Sequence, residues 1–313
     1  MRQLLGRLAQ LAVTLVVVTF LVSSMVELIP GDPAVAVIGE NATPEQVKLV
    51  HAKLHLDEPP VERYVTWLGN AAKGDLGESL RTQEAMIDVI GDRIPINIEL
   101  LLGAQVLALL YAIPAGIYAA YRHGRRTDRL LGVMSFGFIS FPSFVLALFL
   151  VFVLAVQLHV LPISGYVPLA EDPVENIKSM LMPMLTIAAS PAALYQRLLR
   201  NDMRATLQED FILMAEAKGQ STLRILFRHA LRPSMFSLMT LMGVSIAAGV
   251  AGSVIVESIF SLPGIGRLLF VSIGYHDVTA IQAVVAVIAV AYVVINGLVD
   301  VLYGVLDPRI SQT

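Results

Sequence analysis

Cysteine is absent from the sequence, which excludes a disulfide framework, a thiolate metal site and a thiol nucleophile. The six histidines are scattered without metal-ligand spacing, so no metal site is legible. Charge is scarce too: 15% of the 313 residues are Asp, Glu, Lys or Arg, where a soluble domain carries about a quarter. The shortfall fits a surface that faces lipid. Phosphate-binding and catalytic signatures are missing as well. No G-x-x-x-x-G-K-[ST] occurs, and the Gly–Lys neighbours read Lys-Gly, at 73–74 and 218–219. Without that loop there is no backbone cradle for a triphosphate. No Ser–His–Asp arrangement, H-E-x-x-H or Rossmann glycine fingerprint is present, so the chain reads as no enzyme, with no catalytic residue and no cofactor of its own. There is no repeat of fixed period and no low-complexity tail.

Hydrophobic residues are plentiful, at 56% of the chain, with a mean hydropathy of +0.72. Six stretches have the ~20 apolar residues that a bilayer demands: 9–29, 97–121, 130–157, 179–199, 234–260 and 281–305. This predicts an all-α, polytopic membrane protein forming one domain over 1–313. Pro114, Pro142, Pro183 and Pro191 fall inside these spans. Such prolines are tolerated where neighbours satisfy the freed carbonyls, which implies a packed bundle. Arg2 and Arg7 precede the first apolar run, but no small-residue cleavage site closes it promptly and five spans follow. It reads as a retained span rather than a cleaved signal.

Basic residues in short loops set the orientation. With the N-terminus inside, the cytoplasmic pieces 1–8, 122–129, 197–233 and 306–313 hold 14 of the 22 Lys and Arg residues. Arg122, Arg125, Arg126 and Arg129 stand against a lone Lys178 in the next loop. Both termini are therefore expected in the cytoplasm.

The long outer segment, 30–96, is too short for a sizeable core of its own. Thr43-Pro44-Glu45-Gln46 reads as a helix start, with Thr43 as N-cap and Gln46 closing a capping box. Val47, Val50 and Leu54 then share a face, and a second helix over 61–68 carries Trp67. The segment is acidic, from Asp32 and Glu40 to Asp88 and Asp92. It is either a solvated cap or a surface that meets a soluble partner.

The best-organised polar segment lies between two spans, at 209–233, EDFILMAEAKGQSTLRILFRHALRP. Met203, Leu207, Phe211 and Met214 recur at helical spacing and predict one helix over 202–217. Lys218-Gly219 stops it, because glycine supplies the left-handed conformation at a helix end. Ser221 or Thr222 caps a second helix, with Leu223, Leu226, Phe227 and Leu231 on one side and Arg224, Arg228 and Arg232 on the other. A slim corner of this kind, kept narrow by Ala215 and Ala217, can enter a groove and move as a rigid body. The alternative is an interfacial helix pair with Arg beside lipid phosphates.

These residues carry a resemblance. AEAKG, followed by HALRP, resembles the EAA-type loop of membrane subunits of ABC importers, above all the dipeptide, oligopeptide and nickel permeases. It extends along the chain through Pro30-Gly31-Asp32-Pro33-Ala34, Leu56-Asp57, Gly74-Asp75-Leu76-Gly77, Val256-Glu257-Ser258-Ile259-Phe260, Pro263-Gly264-Ile265-Gly266-Arg267 and Leu306-Asp307-Pro308-Arg309. Departures exist: the Glu-Ala-Ala consensus falls on Leu213-Met214-Ala215, and Pro233 and Ser237 stand where the family places Asn and Pro. The resemblance implies a type I importer transmembrane domain in a bacterial inner membrane. Met214, Ala215, Glu216, Ala217, Lys218, Gly219, Gln220 and Ser221 would dock on a cytoplasmic ATPase. The implied partners are two ABC ATPase domains that bind ATP and Mg, a second related permease subunit and an external solute-binding protein. Nucleic acid is not among them. Short peptides are the implied cargo; nickel, glutathione and haem importers use similar subunits.

Inside the spans, Glu27 and Glu99 sit near outer ends, Asp300 near an inner one, and Glu257 near the outer end of the fifth, where Arg267 offers a pairing partner. Ser245, Gly249, Gly252 and Ser253 line one helical face. They serve either close helix packing or a water-filled pathway, with Met242 adjacent. Phe141-Pro142 marks either a gate or a kink in a packed helix. A stand-alone secondary transporter would need ion-coupling residues at mid-membrane, and none is legible. A membrane enzyme lacks its catalytic constellation.

Overall fold

The computed structural model describes residues 2–24, 34–35, 43–53 and 56–306. Among them the chain is helical and holds no strand, only an isolated antiparallel bridge between Glu78 and Ala85. The helices are α1 (Arg2–Ser24), α2 (Pro44–Lys53), α3 (Pro60–Ala71), α4 (Met86–Gly91), α5 (Ile94–Tyr121), α6 (Arg126–Ser140) and α7 (Ser143–Leu150). There follow α8 (Pro173–Thr206), α9 (Asp210–Ala217), α10 (Thr222–Arg224), α11 (Leu231–Ile259), α12 (Ile265–Gly274) and α13 (Val278–Leu306). Val151–Gln157 and Ile225–Ala230 are π-helical continuations.

Among the described residues four stretches are long and apolar enough to cross a bilayer: Met86–Tyr121, Pro173–Thr206, Thr222–Val250 and Val278–Val299. The expected span over 130–157 is not one rod. Its halves meet at 103° across Phe141–Pro142, which makes a broken span or a re-entrant loop. The cause is local. A proline ring disfavours helical geometry in the residue before it, and Phe141 is extended (φ −80°, ψ 123°). Pro142 then caps α7 instead of interrupting a helix. Pro114 stays inside α5, and Pro183 and Pro191 inside α8, as expected. The first expected span, 9–29, passes beyond the described residues after Ser24; Glu27, Pro30–Pro33, Glu40, Leu54 and 307–309 also lie outside them.

The chain divides into two compact units. The first comprises residues 1–97 and 263–294. In it the capping box forms as expected: the Thr43 amide donates to Gln46 Oε1 at 2.9 Å, and the Gln46 amide returns to Thr43 Oγ1 at 3.3 Å. α3 buries Tyr64, whose hydroxyl meets Thr19 Oγ1 at 2.8 Å and donates to the Val16 carbonyl at 3.1 Å. Leu76, Met86 and Ile90 pack against Ile265, Ala280 and Val284, with Trp67 at the edge. Buried Asp277 stitches this packing together. It accepts the Ser79 hydroxyl at 2.6 Å, the Leu80 amide at 3.3 Å and, at the start of α13, the Ala280 amide at 3.1 Å. Asp277→Ala leaves those donors unpaired. A loss of ~1–3 kcal/mol is expected, read as a lower unfolding midpoint of the purified protein in detergent; an unchanged midpoint would refute this role.

The second unit comprises residues 98–262 and 295–313. Small residues let its helices approach: Ala104, Ala108 and Ala112 of α5 share a core with Ala188, Ala192, Tyr195, Leu199 and Met203 of α8 and Leu238 of α11. Close packing of this kind is how helices gain van der Waals contact where lipid offers no hydrophobic drive. Buried hydrogen bonds also cross between its helices. Tyr195 donates to Gln105 Oε1, and Ser135 to Gln196 Oε1, each at 2.7 Å.

Candidate functional site

The segment 202–217 differs from its reading as one continuous helix. α8 ends at Thr206 and α9 begins at Asp210. The Thr206 hydroxyl bonds back to the Asp202 carbonyl at 2.9 Å, a contact that bends helices. Gln208 and Glu209 then make three-residue turns onto Ala205 and Thr206. Asp210 opens the new helix, where a carboxylate favours the positive end of the helix dipole.

This break resets the faces. Ile212 and Ala215 are buried and close a small core with Ile225 and the half-buried Leu207. Phe211, Leu213 and Met214 are exposed, the last two at 58% and 59%. At the corner Gly219 has φ +72°. Its amide donates to the Glu216 carbonyl at 2.8 Å, and the Gln220 amide to the Ala215 carbonyl at 3.2 Å. That is a Schellman ending. The Gln220 side-chain carbonyl lies 2.7 Å from His229 Nε2, which ties the corner to the next helix. Glu216, Ala217, Lys218 and Ser221 are exposed around it. Ser221 stands at the N-cap of α10, and its side chain makes no capping bond.

The second helix also departs from its expected stripe. Leu226 is buried beside Ile225 and Ala230, while Leu223 and Phe227 are exposed. The π-helical turn Ile225–Ala230 inserts a residue and rotates the register. The corner therefore presents Leu213, Met214, Leu223 and Phe227 outward around a rigid, exposed turn. Exposed apolar groups rimmed by charge mark a contact surface.

The spans hold the remaining candidates. Phe141 is exposed at the α6–α7 break. Met242 packs against the α5–α8 core, and Ser245 hydrogen-bonds Tyr195. A Cβ added to Gly249 would lie 3.0 Å from Leu101 Cδ2, so this position serves packing, whereas Gly252 faces open space. Ser253 and Glu257 are fully buried, and Ser253 donates to Glu257 Oε1 at 2.6 Å. The side chain of Asp300 lies outside the described residues. Glu99 accepts the Tyr166 hydroxyl at 3.0 Å. Burial and that carboxylate push Tyr166 up to about 12. Among the described residues no group of three His, Asp or Glu is placed to hold a metal ion.

Two features escape sequence reasoning. Gly243 is the tightest glycine contact of α11, since an added Cβ would lie 2.4 Å from a Val299 methyl. Buried Asp128, at the start of α6, grips Arg200 of α8 with both carboxylate oxygens. A glycine near a valine 56 positions away, or an Asp–Arg pair 72 apart, leaves no periodic trace.

Several long apolar helices and an exposed, glycine-cornered helix pair define a multi-pass membrane component. The chain belongs to the family described as binding-protein-dependent transport system inner membrane component: the family model matches residues 112–312, and the model of its N-terminal part matches 1–101. A Brucella suis protein named as a peptide transport system permease is 35% identical over 309 residues, 98% of each chain. A glutathione transport system permease of Shigella flexneri is 34% identical over 304 residues, 97% of each chain.

Proposed function

We propose that the chain is the permease subunit of an ATP-driven ABC importer, forming half of a membrane pathway for short peptides. The observation that carries this reading is the end-to-end similarity to permeases named for peptide and glutathione transport; glutathione is itself a tripeptide. The corner at 214–221 acts as the coupling helix, with Gly219 as its turn and Met214 as an apolar contact for the ATPase. Two partner ATPase domains bind ATP and Mg and supply the energy, since this chain has no phosphate loop. Their closure moves α8 and α11 through the corner. A second related permease completes the pathway, and an external binding protein delivers cargo. Six spans place both termini in the cytoplasm of a bacterium, with α1 and the broken α6–α7 pair as the first and third spans.

Reconstitution tests this reading. In lipid vesicles with its ATPases, its partner permease and binding protein, the chain should support peptide-stimulated ATP hydrolysis and peptide uptake. Uptake by the chain alone, driven by an ion gradient, would overturn it.

A further inference from the structure

The seam between α6 and α8 carries three polar links. Arg200 holds Asp128 through a two-pronged contact, Nε to Oδ1 at 2.5 Å and Nη2 to Oδ2 at 2.8 Å. The carboxylate is 4% exposed and also accepts the Gly124 amide at 2.9 Å. His123 Nδ1 lies 3.3 Å from the same carboxylate and 3.2 Å from Arg200. Two turns further along α6, Ser135 donates to Gln196, one turn before Arg200. Beside that second link the Arg197 guanidinium sits 4.4 Å from the Phe136 ring centre. A planar guanidinium gripping a carboxylate with two bonds fixes direction as well as distance.

The placement of this seam matters more than its strength. Just past the end of α8, Leu207 packs both on the main core of its unit and on the small core of the corner. α6 ends at the 103° break beside Phe141 and Pro142. The seam thus joins the helix that carries the corner to the helix that carries the break. We infer that Asp128 and Arg200 are positioning residues that lock α6 to α8, so that a push on the corner moves the Phe141–Pro142 break as one rigid lever. This rests on the reading of the corner as the ATPase contact.

The cysteine-free sequence gives a clean test. Asp128→Cys with Arg200→Cys removes the ion pair, and a short bis-maleimide then replaces it with a covalent tether. The readout is peptide imported per ATP hydrolysed by the whole reconstituted complex. Without the linker that ratio is expected to fall about tenfold, and with it to return to within about twofold of the parent, a shift in the range usual for coupling between sites. A merely structural role would alter the amount of assembled complex but not the ratio. An unchanged ratio in the unlinked double variant overturns the lever, and so does a tether that fails to restore it. Should the double variant not assemble, Asp128→Asn is read in the same assay, and an unchanged ratio there also refutes the inference. A parent complex without peptide-stimulated ATP hydrolysis would instead sink the importer reading.

Discussion

Gly219→Val is expected to lower peptide import by more than tenfold while the chain still inserts in the membrane. The backbone at this position has φ +72°, and a β-branched residue there crowds its own carbonyl. The conformation costs ~1–2 kcal/mol for ordinary L-residues and more for a branched one. Nothing lies within 4 Å of an added Cβ, so the penalty is conformational rather than a clash. It is relieved by breaking the two closing bonds, Gly219 to Glu216 and Gln220 to Ala215. The turn then opens and the exposed Met214 and Leu213 lose their fixed direction. Gly219→Asn is the control, because Asn tolerates the left-handed region. It should import within about threefold of the parent, a cost below ~0.7 kcal/mol. The measurements are ATPase co-purification, membrane yield and uptake. If valine leaves docking and uptake intact, the corner is not the coupling element.

Gly243→Val carries the second large effect, and it acts on stability. The new Cβ would lie 2.4 Å and 2.7 Å from the two methyls of Val299 and 3.1 Å from its Cβ. Valine has one stiff torsion and cannot swing away, so α11 and α13 must separate. Overpacking of this kind costs ~1–3 kcal/mol. At Gly103 a Cβ would also meet atoms at 2.4 Å, but these are the Sδ and Cε of Met184. A flexible thioether can repack, so Gly103→Ala should be mild. The expected order of unfolding midpoints in detergent is parent, then Gly103→Ala, then Gly243→Val. Adding Val299→Ala should recover most of the Gly243→Val loss. A Gly243→Val protein as stable as the parent would show that the helices yield freely.

Local chemistry was readable from the sequence, and long-range pairing was not. The helical class, the capping box at Thr43 and Gln46 and the left-handed ending at Gly219 follow from a few adjacent residues. The break between Thr206 and Asp210 leaves no mark in the sequence, because Met203, Leu207, Phe211 and Met214 keep helical spacing across it. Burial went instead to Ile212 and Ala215, which the partner Ile225 selects. In the sequence Pro142 falls inside an apolar span just as Pro114, Pro183 and Pro191 do, yet of these four only Pro142 sits at a break. Spacing does not report which proline a helix absorbs and which one breaks it. Asp277 with Ser79, Asn97 with the Ile265 amide and Asp128 with Arg200 lie 198, 168 and 72 positions apart. Each is visible only once the chain has folded.

The bend at Pro142 restricts what can surround it. A helix that stops leaves carbonyls without partners, and one that starts leaves amides bare. Hydrocarbon satisfies neither, so irregular backbone at membrane depth survives only against protein or beside water. At membrane depth such an elbow excludes lipid tails, so a position for residues 140–143 inside the bilayer requires water or protein against them.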